Sequence, residues 1–231
     1  MNIYPTIDQF REWTGIYKRV PILGEKKISP FDLSSLFQRL FYESEEAFLF
    51  ESRKGPEETS RYSLMGIPNK NYVSIGDGYS TFKLNGNSEE ITGTVDDGWK
   101  ALNFENDIPN YKHLLHFWGG WVGYIAYEAG SSFENLPKRK HNDLGLPDAY
   151  FMQVDRLIVY DHNTSRLKYI IAAEWNSDSD DYNRHIHEIN HVWKKIDPIL
   201  SSVSIKENAH AQNKSSFLNS NGIQSNLSPD E

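Results

Sequence analysis

The strand segment that determines the fold reads Phe117-Trp118-Gly119-Gly120-Trp121-Val122-Gly123-Tyr124-Ile125-Ala126-Tyr127-Glu128. Its aromatic and β-branched side chains predict a strand over residues 115 to 128. A glycine within a strand marks a position that a neighbouring backbone or a ligand approaches closely. We favour tight sheet packing over direct ligand contact as the reason for these glycines.

Further strands are expected on both sides of this segment. Asp161-His162-Asn163 predicts a hairpin between two of them. The turn sequences Gly76-Asp77-Gly78 and Asn85-Gly86-Asn87 break the region from Tyr62 to Ile91 into the short strands of an antiparallel meander. The other predicted strands are Ala47–Glu51, Tyr150–Tyr160 and Leu167–Ala173.

Helices are predicted by apolar residues that recur every three or four positions. Ser29 and Pro30 resemble an N-cap and a first helical position, and they predict a helix over residues 30 to 43. Residues 96 to 104 form a second candidate. The last helix carries an apolar stripe that should pack against the core, made of Tyr182, Ile186, Ile189, Trp193, Ile196 and Leu200. Residues 1 to 30 are predicted to be irregular, and residues 203 to 231, rich in Ser, Asn and Gln, a linker or disordered tail.

Composition excludes several classes of function. The chain has 231 residues, 38% of them hydrophobic, with a formal net charge of −8 and no Cys. Scattered Lys and Arg residues on an acidic chain give no surface for nucleic acid. No apolar run approaches the roughly 20 residues that a membrane helix needs, and the N-terminus has no signal-peptide core. We therefore expect a folded cytoplasmic protein with neither a nucleic-acid nor a membrane partner.

A possible zinc motif lies in the last helix. His187-Glu188-Ile189-Asn190-His191 matches the H-E-x-x-H pattern, in which two histidines bind zinc and the glutamate is a general base. Helical geometry turns both histidines away from the apolar stripe and toward solvent. A third ligand would have to come from the tail, where His210 is the only histidine. We therefore favour a polar helix face over a zinc hydrolase.

Two further blocks accompany the glycine-rich strand: Phe48-Leu49-Phe50-Glu51-Ser52 and Ser60-Arg61-Tyr62-Ser63-Leu64-Met65-Gly66. Over residues 17 to about 173, the chain resembles the N-terminal domain of anthranilate synthase component I and of aminodeoxychorismate synthase component I. The resemblance implies an α+β fold of antiparallel β-sheets with flanking helices. It also implies that residues 1–202 form this domain and that residues 203–231 lead to an absent chorismate-binding domain. The chain alone is then expected to be inactive.

The family's chemistry follows from the same resemblance. Anthranilate synthase aminates chorismate and eliminates pyruvate, using Mg²⁺ and ammonia from a glutamine amidotransferase subunit. None of the metal-binding carboxylates, and no catalytic residue, can be assigned in this chain. The N-terminal domain of the family carries a feedback site for tryptophan, and the residues that match it are Pro30, Glu51, Ser52 and Arg61. A carboxylate and a hydroxyl near a strand end can hold an α-ammonium group. The alternative for Glu51 and Ser52 is an ordinary strand end with turn hydrogen bonds.

The resemblance leaves the branch of the family open. We favour anthranilate synthase, because Phe50-Glu51-Ser52 closely matches the inhibitor element of that branch, and Phe151-Met152 points the same way. The stretches Tyr127–Gly130 and Glu134–Pro137 are closer to aminodeoxychorismate synthase, an enzyme of folate biosynthesis. A freestanding amino-acid-binding module that regulates another protein is a third hypothesis.

Overall fold

Two antiparallel sheets with several helices make up the fold, as the sequence predicts. The structure is a computed structural model, and it describes residues 1–52, 60–76, 78–84, 89–102, 108–134, 144–172 and 180–203. Of the sequence predictions, the turn at Asn85-Gly86-Asn87 and the tail after Val203 lie outside these ranges. In the described part of the chain, no helix is long and apolar enough to cross a membrane.

The first sheet has six strands in the order β1-β2-β11-β10-β4-β3. Every neighbouring pair is antiparallel, and β3 forms one edge beside β4. The predicted hairpin through Asp161-His162-Asn163 is confirmed, because β10 and β11 pair on either side of it. The strands are β1 (Asn2–Tyr4), β2 (Ile22–Lys27), β3 (Phe48–Phe50), β4 (Tyr62–Gly66), β10 (Arg156–Asp161) and β11 (Arg166–Ile171).

The second sheet has five antiparallel strands in the order β7-β6-β5-β9-β8. The glycine-rich segment forms its edge strand β8. A Cβ atom at Gly123 would lie 1.9 Å from the carbonyl oxygen of Tyr150 on β9, so tight sheet packing explains this glycine. The strands are β5 (Tyr72–Gly76), β6 (Tyr79–Lys83), β7 (Ile91–Thr94), β8 (Gly120–Ile125) and β9 (Ala149–Val154).

Within the described ranges, four α-helices flank the sheets: α1 (Ile7–Thr14), α2 (Leu33–Phe41), α3 (Val95–Ala101) and α4 (Asp181–Val203). A 3-10 helix, Tyr127–Ser132, follows β8. Helices α1, α2 and α4 cover one face of the six-stranded sheet, and the segment around Leu115 and Trp118 covers the other face. Helix α3 packs on the five-stranded sheet. The cluster around Leu115 and Trp118 also includes Val122 of β8 and Val154 of β9, so this apolar core joins the two sheets.

The docking face predicted for the last helix is confirmed. Ile189 and Ile196 are fully buried and Trp193 is 2% exposed. The helix lies directly against β2, because a Cβ atom at Gly24 would be 2.5 Å from Ile189 Cγ2. The pattern of buried residues along α4 therefore follows the apolar stripe of the sequence.

The prediction of an irregular N-terminal region is wrong, because residues 1–30 contain β1, α1 and β2. Helix α1 begins with a capping box between Thr6 and Gln9. Strand β2 lies inside the sheet although it contains charged residues, and its Glu25 is 3% exposed because Arg166 pairs with it at 2.9 Å. This polar segment forms a strand because residues far away in the sequence, on β11, pair with it across the sheet.

Several other features differ from the predictions. The strand predicted over residues 115 to 128 is shorter, Gly120–Ile125, and a 3-10 helix follows it. Residues 150–160 form two strands in different sheets, separated at Asp155, and not one continuous strand. The predicted meander holds for β5, β6 and β7, whereas β4 belongs to the other sheet. Helix α2 has Asp32 as its N-cap in place of Ser29. Pro30 therefore precedes the helix and does not open it.

Candidate functional site

Five polar residues meet where strand β3 ends at the edge of the six-stranded sheet. Glu51 and Ser52 follow β3, Ser63 lies in β4, His162 follows β10, and Ser34 lies in the first turn of α2. We call this group the edge site. Its residues come from four segments of the chain, and the sheet register together with the packing of α2 brings them together.

Direct hydrogen bonds join the members of the edge site in two sets. Ser34 Oγ donates to Glu51 Oε2 at 3.2 Å. The backbone N–H of Ser52 donates to Ser63 Oγ at 3.0 Å, and Ser63 Oγ lies 2.8 Å from His162 Nε2. Ser63 is fully buried, whereas Glu51 is exposed at the surface. The site thus contains an exposed carboxylate in one set and a fully buried serine hydroxyl in the other.

Arg61 and Asp161 form an ion pair next to the edge site. Arg61 Nε donates to Asp161 Oδ1 at 3.2 Å, and Nη2 donates to Oδ2 at 2.9 Å. Asp161 is only 2% exposed. Burial raises the pKa of Asp161, but hydrogen bonds from Arg61 and Thr164 outweigh this effect, so the net shift of its pKa is downward. The carboxylate is therefore ionised and paired near neutral pH.

The sheet register separates this ion pair from Glu51. Ser63 is the register partner of Tyr160, whose side chain packs on the helix-covered face. Asp161 is the next residue along the strand, so it faces the opposite side. The Arg61 guanidinium follows Asp161 to that side and lies over the Tyr62 ring, 4.8 Å from its centroid. Glu51 in turn bonds to helix α2, on the helix-covered face.

The four residues predicted from the resemblance are therefore distributed as follows. Glu51 and Ser52 lie together in the edge site. Pro30 is exposed, four residues before Ser34 in the same segment. Arg61 lies beside the site and is paired with Asp161. The binding of tryptophan by these four residues stays a prediction.

His162, Ser63 and Ser34 are members of the site that the sequence did not identify. Partial burial lowers the pKa of His162, and the nearby carboxylates of Asp161 and Glu51 only partly oppose this shift. The ring is therefore mainly neutral near pH 7. It also contacts the Tyr160 ring edge-on, with ring centroids 4.6 Å apart. Ser63 is within a block that carries the family resemblance and His162 is in the predicted hairpin, but only the strand register shows that they touch.

The zinc motif of the last helix has a different role in the structure. His187 and His191 are exposed on α4, as helical geometry predicts. Glu188, the general base of such a motif, accepts hydrogen bonds from Arg156 Nε at 2.7 Å and from the Tyr169 hydroxyl at 2.9 Å. This carboxylate anchors α4 to the sheet. Among the described residues, no group of three or more His, Cys, Asp or Glu side chains is arranged to hold a metal ion.

Comparison with known proteins shows the family of this chain. The family model for chorismate binding enzymes matches residues 45–231. The chain therefore belongs to the chorismate binding enzyme family.

Individual relatives give more detail. The chain is 31% identical over 218 residues to anthranilate synthase component 1 of Acetivibrio thermocellus, covering 89% of this chain and 43% of that protein. It is 28% identical over 187 residues to aminodeoxychorismate synthase component 1 of Bacillus subtilis, covering 78% of this chain and 38% of that protein. The crystal structure of anthranilate synthase component I from Streptococcus pneumoniae matches with a TM-score of 0.42 and 17% identity, covering 77% of this chain and 37% of that chain. The chain thus spans about two fifths of the length of these curated relatives.

The family match corrects one prediction. The resemblance predicts that the chorismate-binding domain is absent and would begin only after Glu231. The matched region instead begins at residue 45, so the chain itself carries the sequence that defines the chorismate-binding family. The division into residues 1–202 and a linker over residues 203–231 stays a prediction.

Proposed function

We propose that this chain is a part of an anthranilate synthase component I. In that enzyme chorismate is aminated and pyruvate is eliminated, in the pathway to tryptophan. The observation that carries the proposal is the alignment with anthranilate synthase component 1 of Acetivibrio thermocellus over 89% of the chain. The same proposal places the protein in the cytoplasm, with a glutamine amidotransferase subunit as its ammonia-supplying partner.

The described residues do not supply a set of ligands for the Mg²⁺ of the proposed reaction. Mg²⁺ prefers several oxygen ligands in near-octahedral geometry, usually from carboxylates, water and substrate. The described residues contain no such carboxylate cluster. We therefore assign no Mg²⁺ ligand to this chain, and we derive no step of the reaction through the metal.

The edge site is proposed to hold the amino-acid end of L-tryptophan, the feedback inhibitor. Glu51 supplies an exposed carboxylate that can pair with the α-ammonium group, and Ser34 already orients this carboxylate at 3.2 Å. Ser52 adds a hydroxyl on the neighbouring residue. Phe31 and Tyr160 pack against each other on the same face of the sheet, with ring centroids 5.0 Å apart; Phe31 is buried and Tyr160 is half-buried. A site of few polar groups beside aromatic rings suits an indole-bearing amino acid.

Aminodeoxychorismate synthase component I is the second candidate. The observation in its favour is the alignment with the Bacillus subtilis protein, which is 28% identical over 187 residues. The two candidates differ in their ligand, because tryptophan inhibition is expected only for the anthranilate branch.

Saturation-transfer NMR with the purified chain separates these candidates. L-Tryptophan should receive saturation on its indole protons, with weak affinity on the order of millimolar, and L-alanine at equal concentration should not compete. D-Tryptophan is the matched control, because its α-ammonium group cannot occupy the same position with the same ring placement. Absence of transfer to L-tryptophan would remove the feedback site and favour the aminodeoxychorismate branch.

A further inference from the structure

A buried serine connects His162 to the backbone of the edge site. Strand β3 ends at Phe50, whose register partner on β4 is Leu64. Two residues further on, the N–H of Ser52 is held by the side chain of Ser63 at 3.0 Å. The Ser63 hydroxyl therefore holds the backbone at Ser52, two residues beyond the last paired residue of β3.

The donor and acceptor roles in this connection depend on the tautomer of the histidine. Ser63 Oγ accepts from the Ser52 N–H, so its own hydrogen is available to a second acceptor. His162 Nε2 lies 2.8 Å from Ser63 Oγ. Nε2 can accept this hydrogen only when the ring is neutral and its proton is on Nδ1. A protonated ring would instead donate to Ser63, and the serine hydrogen would lose this acceptor.

His162 is itself held in place by the sheet. Its backbone N–H donates to the carbonyl oxygen of Arg61 at 2.9 Å, at the start of β4. Its ring packs against Tyr160. The charged groups that face it are the carboxylates of Asp161 and Glu51, and Asp161 is neutralised by Arg61. The ring therefore has a defined position relative to Ser63.

We propose that His162 is a positioning residue of the edge site, which through Ser63 fixes the Ser52 amide and so holds Glu51 and Ser52 in the geometry that binds an amino acid. The neutral ring is the binding-competent form. This inference rests on the proposed function of the edge site for its ligand, but the connection from His162 to Ser52 stands on the hydrogen bonds alone.

The first test needs no ligand and uses ¹⁵N-labelled full chain. In wild type, NMR should show the His162 ring protonated on Nδ1 and the Ser52 amide protected from exchange. His162→Ala should accelerate exchange of the Ser52 amide by up to about ten-fold, because a net hydrogen bond contributes about 0.5 to 1.5 kcal/mol. His162→Gln, which keeps a side-chain acceptor, should restore part of the protection. His116→Ala, at an exposed histidine outside the edge site, is the matched control.

The second test adds L-tryptophan and a range of pH. Affinity should fall as pH drops through the His162 titration followed by NMR, and it should lose this dependence in His162→Gln. Unchanged Ser52 exchange in His162→Ala, or a wild-type ring protonated on Nε2, would overturn the inference. If exchange responds but wild type binds no tryptophan, the proposed function fails while the positioning of Ser52 by His162 is supported.

Discussion

Replacement of Ile189 by alanine tests how helix α4 is held on the six-stranded sheet. Ile189 is fully buried, and α4 lies so close to β2 that a Cβ atom at Gly24 would be 2.5 Å from Ile189 Cγ2. Because the strand backbone cannot move into the space that the side chain leaves, a cavity should remain. Buried Ile-to-Ala changes cost about 2 to 5 kcal/mol. A protein of this size loses about 2 to 4 °C per kcal/mol, which gives a fall of about 4 to 20 °C in melting temperature.

The assay is thermal unfolding followed by far-ultraviolet circular dichroism, with Asn190→Ala as the matched control. Asn190 is the next residue of the same helix and is exposed, so its replacement should change stability by no more than about 0.5 kcal/mol. Equal melting temperatures for the two variants would refute the docking of α4 through this stripe. A large effect at Asn190 alone would show that the helix is rotated from its position on β2.

Three further predictions concern the zinc motif, the stability of the fold at acid pH and the glycine-rich strand. Glu188→Gln should lower the melting temperature because it weakens an ion pair, whereas the double variant His187→Ala, His191→Ala should leave the melting temperature unchanged. One equivalent of zinc bound to wild type and absent from the double variant would contradict this structural role of the motif. The lowered pKa of Asp161 means that its ionised form stabilises the fold above its ordinary pKa of about 3.9, and this contribution is lost as pH falls through the lowered value. In Asp161→Asn the free energy of unfolding should therefore depend less on pH in the acid range than in wild type. The same pH dependence in both proteins would argue against this role of Asp161. Gly123→Ala should cost about 3 kcal/mol or more, since its Cβ would overlap a strand backbone; wild-type stability would disprove this close approach.

The parts of the fold with strong local patterns were predictable from the sequence. The stripe through Ile189, Trp193 and Ile196 has helical spacing, and its burial follows that spacing. Strand β2 had no such pattern, because its Glu25 is satisfied by Arg166, which is 141 residues away. The break at Asp155 was also hidden, since β-forming residues continue on both sides of it and only sheet topology separates them.

The candidate site was predictable only in part. Glu51 and Ser52 stand out through their resemblance to a family motif, and they lie next to each other in sequence. Ser63 and His162 are 99 residues apart, and their contact depends on the pairing of β4 with β10. The position of Arg61 could not be inferred either, because its partner Asp161 is 100 residues away and faces the side of the sheet opposite to Ser63.

The central claim is that Glu51 in the edge site pairs with the α-ammonium group of an amino acid. The most direct measurement is a titration of the ¹⁵N-labelled chain with L-tryptophan, followed by amide chemical shifts, in wild type and in Glu51→Gln. We expect saturable shifts at the amides of Ser34 and Ser52 in wild type. We also expect a loss of about ten-fold to a hundred-fold in affinity in the variant, since a hydrogen bond to a charged group contributes about 1.5 to 3 kcal/mol. Equal affinity in both proteins, or shifts confined to residues far from β3, would contradict the claim.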